Sequence, residues 1–326
     1  MSTPTRRRRG AERAMVPDAE FSSYYGRQVV KPAPWKAEIP TYLYTGGLAA
    51  GSGLIAAGAQ LVGLRMLQRN ARLTALAALG ASTGALIADL GKPGRFLNMM
   101  RTVKLTSPMS VGTWILAGFG GFTGAAALAE IGGPLLPQGS SLARLASITG
   151  AGGNLGSAAF AAPLAAYTAV LLSDTATPTW HAAYRELPFV FVGSALAAAG
   201  GAAMVTTSTR ETGPARRVAL TGTALELAAT EVLHRNLRLE GEPLRQGKAG
   251  RLLEISRWLM LGGAALTLLG GRRRPAAILA GLAMNAGSAL TRFGVFEAGI
   301  VSAKDPMYTV VPQRQRLDER GPTRIS

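Results

Sequence analysis

Hydrogen-bonding side chains gather at one end of several long apolar runs. Tyr42 and Tyr44 open the first run, Asp89 and His234 close the second and sixth, and Tyr167 lies near the end of the fourth. Because a helix rises 1.5 Å per residue and successive membrane helices alternate in direction, these five side chains fall at one depth. A polar layer above apolar helices is suited to a lipophilic ligand with a polar head. The spacing therefore predicts such a ligand site.

Each of these side chains also has a plainer interpretation. Tyr42 and Tyr44 are typical of the aromatic belt at a membrane interface. Asp89 is suited to capping the loop that follows it or to pairing with Arg95. His234 is equally suited to being an ordinary polar residue at the interface.

Two charges lie deeper, one in the sixth run and one in the eighth. Glu226 and Arg292 are both about ten residues from the same membrane side, so we predict that they are partners at equal depth. The pair fits either a proton path, continued by Glu231 toward His234, or a structural link between two helices. A proton-coupled transporter with Glu226 and Arg292 at its midplane is the alternative function.

The elements that position these residues are long and apolar. Only 16% of residues are charged and 48% are hydrophobic, against about 25% charged in soluble domains. Runs of about 20 residues are long enough to cross the hydrocarbon core. We predict an all-α integral membrane protein with about eight transmembrane helices between a basic arm (1–37) and a polar tail (303–326). The predicted spans within 38–302 are 39–63, 71–90, 109–130, 142–172, 187–208, 215–236, 252–271 and 275–302.

Composition excludes several classes of function. The chain has no cysteine and 2 histidines, so it holds no thiolate-bound iron–sulfur cluster and no covalently attached haem. It shows no metal-ligand spacing, phosphate loop or catalytic triad, and we do not expect an enzyme on its own. The net charge of +17 lies in loops and tails beside the apolar runs, which indicates membrane lipid rather than nucleic acid as a partner.

The distribution of lysine and arginine sets the expected orientation. More of them lie on the side of the two termini, mainly because of the arm and the tail, which predicts cytoplasmic termini in a bacterial plasma membrane. The Arg6–Arg9 block is not followed directly by an apolar stretch, so a cleaved signal peptide is not expected. On the opposite side, the helix ends carry few hydrogen-bonding groups beyond arginines and Glu130.

Small residues recur inside the apolar runs. The pairs Gly47 with Gly51 and Gly120 with Gly124 have the spacing that lets helices approach closely in lipid. Pro163 interrupts the fourth run and predicts a bend there. We read the glycine pairs as packing features.

Several stretches together resemble the NrfD/polysulfide-reductase family of membrane subunits. The more specific elements are D-L-G-K-P-x-R-F and S-P-M-S-x-G-x-W within residues 88–114. The resemblance extends over about residues 21–312. The other stretches are FSSYYGRQVVKPAPWK, LYTGGLAAGSG, AAYTAVLL, LPFVFVGSALAAAG and SAKDPMYTVVPQR.

The resemblance implies an eight-span, haem-free anchor built of two four-helix bundles. It implies that a menaquinone-type quinone exchanges electrons with an iron–sulfur subunit, which in turn serves a molybdopterin catalytic subunit. Tyr167 matches the tyrosine that contacts the quinone in this family, and Asp89 matches a polar residue near the quinone and the proton path. Some members also use a histidine near the first span, where this chain has Trp35, Lys36, Tyr42 and Tyr44.

We therefore predict a quinone-reactive membrane subunit with coupled proton transfer, and a purely structural anchor is the third possibility. The basic arm, the 91–107 loop and the tail are expected to dock the iron–sulfur subunit. The expected quinone site comprises Tyr167, Asp89, Tyr42 and Tyr44. The expected proton path comprises Asp89, Glu226, Glu231, His234 and Arg292, and the expected docking residues are Lys92, Arg95, Arg101 and Lys104.

Overall fold

The computed structural model describes residues 28–101 and 103–320, and this part of the chain is all-helical, with no strand. Most of the basic arm therefore lies outside the described residues. The α-helices are α1 (Glu38–Leu61), α2 (Arg65–Asp89), α3 (Gly94–Met100), α4 (Pro108–Gly132), α5 (Ser141–Ser173), α6 (Pro178–Ala182), α7 (Leu187–Thr206), α8 (Gly213–Asn236), α9 (Gly247–Gly270), α10 (Arg274–Lys304) and α11 (Met307–Arg320). Short 3₁₀ turns at Gly133–Leu135 and Leu239–Leu244 extend two connections.

Five of the described helices are long and apolar enough to cross a membrane. They are α2, α4 with its 3₁₀ extension, α5, α7 and α9. The other three predicted spans correspond to α1, α8 and α10, and their assignment as spans stays a prediction. These three are less apolar because α1 is rich in glycine and other small residues, while α8 and α10 contain internal charges.

The long helices pack mainly as sequential neighbours. Helix α1 lies against α2 and α5, and α4 lies against α5. Helix α7 lies against α8 and α10, and α9 lies against α10. The two sets meet where α1 and α5 contact α7, so α1 is surrounded by protein and does not need an apolar outer face.

Small residues permit this central contact. A methyl group added at Gly51 of α1 would lie 2.6 Å from Cβ of Ala199 in α7, and one at Gly47 would lie 3.2 Å from Cβ of Ala195. Close packing at the first glycine pair is thus confirmed. The prediction of close packing is wrong at Gly124 of the second pair. This glycine faces open space, because that side of α4 points away from the other helices.

Large apolar side chains remain exposed on the outer helices. Leu269 of α9 is 90% exposed and Leu128 of α4 is 74% exposed, which is unusual for a water-facing surface and typical of a lipid-facing one. The predicted polar tail contains helix α11, and the predicted 91–107 loop contains the short helix α3.

Candidate functional site

A small pocket lies among α1, α2, α4 and α5, on the side where α2 and α5 end. Tyr42 of α1, Asp89 of α2 and Tyr167 of α5 all line it. Its volume is about 70 Å³, which is room for a few water molecules rather than for a large ligand. The structure thus brings three of the four predicted quinone residues to one place. Apolar side chains form most of the remaining wall, namely Ile39, Leu86, Leu116 and Leu171.

The ring of Tyr167 is held by a glycine on the facing helix. Tyr167 is 7% exposed, and a methyl group at Gly112 of α4 would overlap its ring and hydroxyl. Only a residue without a side chain lets α4 approach this ring. Sequence reasoning missed this role of Gly112, although the glycine stands inside the S-P-M-S-x-G-x-W element.

Helix α3 forms the roof of this pocket. Phe96 and Met99 on α3 line it from above, while the basic residues of the same segment point outward and are exposed. Arg95 donates a hydrogen bond to the carbonyl of Leu90 at 3.0 Å and forms no ion pair with Asp89. The alternative in which Asp89 pairs with Arg95 is therefore wrong, because the Leu90 carbonyl takes that guanidinium.

Trp35 closes the side of the pocket next to the second set of helices. Its ring lies 6.0 Å from that of Trp180, centroid to centroid. Trp180 is fully buried and donates its indole N–H to the carbonyl of Val295 at 2.8 Å. The segment before α1 is thereby fixed to both α6 and α10, so Trp35 links the pocket to the second set of helices.

Tyr44 lies outside this pocket. Its hydroxyl donates to Oδ1 of Asn285 in α10 at 2.9 Å, and the amide of Asn285 donates to the carbonyl of Ala198 in α7 at 3.1 Å. Tyr44 therefore links α1, α10 and α7 at the centre of the molecule. Its neighbours differ from those of Tyr42 because two residues along a helix turn the side chain by about 200°.

Arg292 is fully buried at the same central junction. Its Nη2 donates to the carbonyl of Phe191 at 2.7 Å, and its guanidinium lies 3.8 Å from the centroid of the Phe191 ring. Nε and Nη1 have no hydrogen-bond partner within the described residues. A cation over an aromatic ring is a recognised stabilising contact, and it replaces the expected carboxylate.

The predicted direct pair of Glu226 and Arg292 is not present. No described carboxylate lies within 4.0 Å of the Arg292 guanidinium. Instead, Thr291 donates to Oε1 of Glu226 at 2.6 Å, and Oε2 of Glu226 has no described partner although Glu226 is 3% exposed. The two groups do interact electrostatically, as the prediction of equal depth implies, but they form no direct ion pair.

Glu226 lies at the inner end of a large cleft between α8 and α9. The cleft has a volume of about 710 Å³ and is also lined by Glu231, His234 and Thr291. Glu231 is paired with Arg235 at 2.9 Å, and Arg245 donates to both the ring and the carbonyl of His234. The cleft thus connects three of the five predicted proton-path residues, Glu226, Glu231 and His234, whereas Asp89 and Arg292 do not line it.

A relay of hydroxyl groups adjoins the buried carboxylate. Ser256 of α9 and Thr291 of α10 are 2.7 Å apart, oxygen to oxygen. The single hydroxyl hydrogen of Ser256 is shared between Thr291 and the carbonyl of Gly287, which also lies at 2.7 Å, while Thr291 donates to Glu226. Three helices therefore converge on one carboxylate.

The opposite membrane side carries a polar network that the sequence analysis did not predict. Arg72 is 7% exposed and donates to Glu130 at 2.6 Å, to Asn154 at 2.8 Å and to the carbonyl of Gly150 at 3.0 Å. Gln60 of α1 accepts from Asn154 at 2.8 Å. The expectation of few hydrogen-bonding groups on this side is wrong, because α2 begins at Arg65 and carries Arg72 two turns inside the helix.

A comparison with protein families decides what kind of chain this is. A family model described as "Polysulphide reductase, NrfD" matches residues 27–234. The chain belongs to the NrfD family. The matched part of this NrfD protein contains α1 to α7 and nearly all of α8, and hence the whole Tyr42–Asp89–Tyr167 pocket. It ends before α9 and α10, which the sequence resemblance had included. No curated protein matches the chain.

Family and helices together indicate an integral membrane protein, and the family suggests the membrane subunit of a polysulfide-reductase-like oxidoreductase. Within residues 28–101 and 103–320, no group of three His, Cys, Asp or Glu side chains is arranged to hold a metal ion.

Proposed function

We propose that this NrfD protein exchanges electrons between an iron–sulfur partner subunit and a membrane quinone of the menaquinone type, with coupled proton transfer. In this proposal α1, α2, α4 and α5 form one four-helix bundle, α7 to α10 form the second, and all eight cross the membrane. The observation that carries the proposal is the convergence of Tyr42, Asp89 and Tyr167 on one pocket inside the part matched by the family.

The residues of the pocket suit a quinone head. Two tyrosine hydroxyls and a carboxyl group are the kinds of group that hydrogen-bond to quinone oxygens, and the leucine and isoleucine walls suit an aromatic ring. At about 70 Å³ the pocket is smaller than a quinone ring requires. Because Phe96 and Met99 belong to the short helix α3, an outward shift of α3 enlarges the pocket without disturbing the long helices.

A bound quinone supplies two-electron, two-proton redox chemistry. In our proposal Tyr167 donates a hydrogen bond that orients a quinone oxygen, and the Gly112 contact holds the ring of Tyr167 in place. Asp89, at the end of α2 and half-buried, holds a proton and passes it between the pocket and water. Proton transfer by a positioned carboxyl group is a common contribution to catalysis.

The segment over the pocket is the proposed docking surface for the iron–sulfur subunit. The basic residues of this segment are exposed and flank Phe96 and Met99, which line the pocket. A partner that docks here brings its redox centre near the pocket, and an acidic partner surface is favoured by charge. The docking residues are Lys92, Arg95, Arg101 and Lys104.

The cleft between α8 and α9 is the proposed second part of the proton path. Glu226 has one carboxylate oxygen without a described partner, and the cleft leads from it past Glu231 and His234. Buried carboxylates in membrane helices commonly mark proton paths. In this proposal Arg292, which lies between the two bundles, provides a fixed positive charge between the cleft and the quinone pocket.

Tyr167→Phe is expected to weaken binding of a short-chain naphthoquinone by about three- to tenfold, because the variant loses one hydrogen bond but keeps the ring. Asp89→Asn is expected to leave binding nearly unchanged and to slow quinone turnover in membranes that contain the whole complex. Binding is measured on the purified full chain by quenching of tryptophan fluorescence, since Trp35 lines the pocket.

Tyr44→Phe is the matched control, because this tyrosine bonds to Asn285 and not to the pocket. It is expected to leave the quinone affinity unchanged. Equal affinities for wild type and Tyr167→Phe, together with unchanged turnover, would instead favour a purely structural anchor.

Glu226→Gln tests the proton path separately. The amide keeps an oxygen that accepts the hydrogen bond of Thr291 but does not carry a transferable proton, so quinone turnover is expected to fall by at least about tenfold while quinone binding is retained. Turnover is measured in membranes with the whole complex. The matched control is Glu254→Gln, because Glu254 lines the same cleft at an exposed position. This variant is expected to have wild-type turnover. A similar fall of turnover in both variants would contradict a specific role for Glu226.

A further inference from the structure

A second opening separates α8 from α9, at the membrane side opposite His234. Helix α8 packs closely on α7 and helix α9 on α10, but α8 and α9 contact each other little. The opening has a volume of about 520 Å³. It is bounded by the first turns of α8, the last turns of α9 and the turn that leads into α10, and none of the residues discussed for quinone or proton chemistry lines it.

The lining has two distinct parts. Four arginines surround the outer part, and leucines surround the part that continues along the helices. Leu268 is 71% exposed and Leu269 is 90% exposed, so the groove is open to the surrounding lipid. The arginines are Arg216, Arg217, Arg272 and Arg273, and the leucines are Leu220, Leu268 and Leu269.

The four guanidinium groups are not used by the fold. Among the described residues, none of these four guanidinium groups has an ion-pair partner, and none donates a side-chain hydrogen bond. Glu211, the acidic residue of the preceding loop, accepts a hydrogen bond from the backbone N–H of Leu67 at 3.0 Å. No acidic side chain lines the opening, so the charge of the cluster is uncompensated.

The neighbouring Arg274 shows the contrast. It donates to the carbonyls of Met204 at 2.8 Å and Thr207 at 2.6 Å, at the end of α7. Arg274 therefore satisfies a helix terminus. The stem of Arg216 lies across the end of α9, where a methyl group at Gly271 would be 3.1 Å from its Cδ, and this contact brings the two halves of the cluster together.

We propose that this opening binds an anionic diacyl phospholipid, with its phosphate among the four arginines and its acyl chains along the leucines. Arginine forms paired hydrogen bonds with phosphate oxygens, and basic pockets between membrane helices are suited to anionic head groups. A free phosphate ion would contact only the arginines and leave the leucine-lined half of the groove empty. A lipid fills both halves, so we assign the site to a lipid. The bound lipid fills the gap between α8 and α9.

The test uses the full chain, purified in detergent and depleted of lipid. Phosphatidylglycerol, phosphatidylcholine and inorganic phosphate are titrated separately, and bound lipid is counted by native mass spectrometry. We expect tight binding of phosphatidylglycerol, at least tenfold weaker binding of phosphatidylcholine, and no competition by millimolar phosphate. Each arginine near an anionic head group contributes about fivefold in affinity, so Arg217→Gln with Arg272→Gln is expected to weaken phosphatidylglycerol binding about 25-fold.

Arg144→Gln with Arg210→Gln is the matched control. It removes two exposed positive charges from the same membrane side but outside the opening, and it is expected to bind phosphatidylglycerol as wild type does. Equal weakening in both double variants, equal affinity for the two lipids, or displacement of the lipid by phosphate alone would overturn the proposal. If the glutamine pair misfolds, the Arg217→Lys and Arg272→Lys pair decides, because it keeps the charge but loses the paired hydrogen bonds to phosphate. It is expected to bind phosphatidylglycerol several-fold more weakly than wild type, and wild-type affinity in this variant would overturn the proposal.

Discussion

Replacement of Arg72 by leucine is expected to destabilise the folded protein by about 3–5 kcal/mol, the usual effect of removing one partner of a buried ion pair. Arg72 is 7% exposed and links four helices. From its own helix α2 it donates to Gln60 of α1, to Glu130 of α4, and to both Asn154 and the Gly150 carbonyl of α5. Leucine fills part of the space but leaves a carboxylate, an amide and a carbonyl without their donor.

Arg69→Leu is the matched control for this prediction. Arg69 reaches the same carboxylate at 3.9 Å, but its side chain is 67% exposed, and exposed pairs contribute about 1 kcal/mol or less. The two variants are compared by thermal and denaturant unfolding in one detergent, followed by tryptophan fluorescence. If both variants lowered stability equally, the buried network would not be what joins α2, α4 and α5.

The sequence was sufficient to locate the long helices because bilayer thickness fixes their length and prolines or charges mark their ends. The run predicted at 187–208 is observed as Leu187–Thr206, and the one predicted at 142–172 as Ser141–Ser173. The largest error is at α2, which begins at Arg65 instead of residue 71. Arginines usually indicate a loop outside the membrane, but here Arg72 finds buried partners on neighbouring helices and the helix continues through it.

The sequence predicted the depth of the site residues better than their direction. Helical rise is fixed, so Tyr42, Asp89 and Tyr167 could be placed at one level, and all three line one pocket. The rotation of each helix about its axis depends on packing with its neighbours, which a single sequence does not give. For this reason Tyr44 was grouped with Tyr42 although it contacts Asn285, and Glu226 was paired with Arg292 although it accepts a hydrogen bond from Thr291.

The same limit hid Gly112, which the structure places against the ring of Tyr167. Gly112→Ala is expected to weaken naphthoquinone binding by about a hundredfold, more than Tyr167→Phe, because the added methyl displaces the whole ring whereas phenylalanine keeps it in place. The measurement is the same fluorescence titration. The matched control is Gly121→Ala, because Gly121 of the same helix faces open space. This variant is expected to leave quinone binding unchanged and to stabilise α4 slightly, since alanine favours a helix by about 1 kcal/mol over glycine.

A double variant shows whether the methyl acts through the tyrosine ring. Tyr167→Ala removes the ring that the methyl of Gly112→Ala overlaps, so the two substitutions together are expected to destabilise the protein less than the sum of their separate effects. Additive effects on the unfolding midpoint would mean that the methyl acts elsewhere on α4. We expect the double variant to regain part of the stability lost in Gly112→Ala but to regain no quinone binding. That result would mean that α4 and α5 still pack together without the Tyr167 ring, and that Gly112 serves to hold this ring in the binding site.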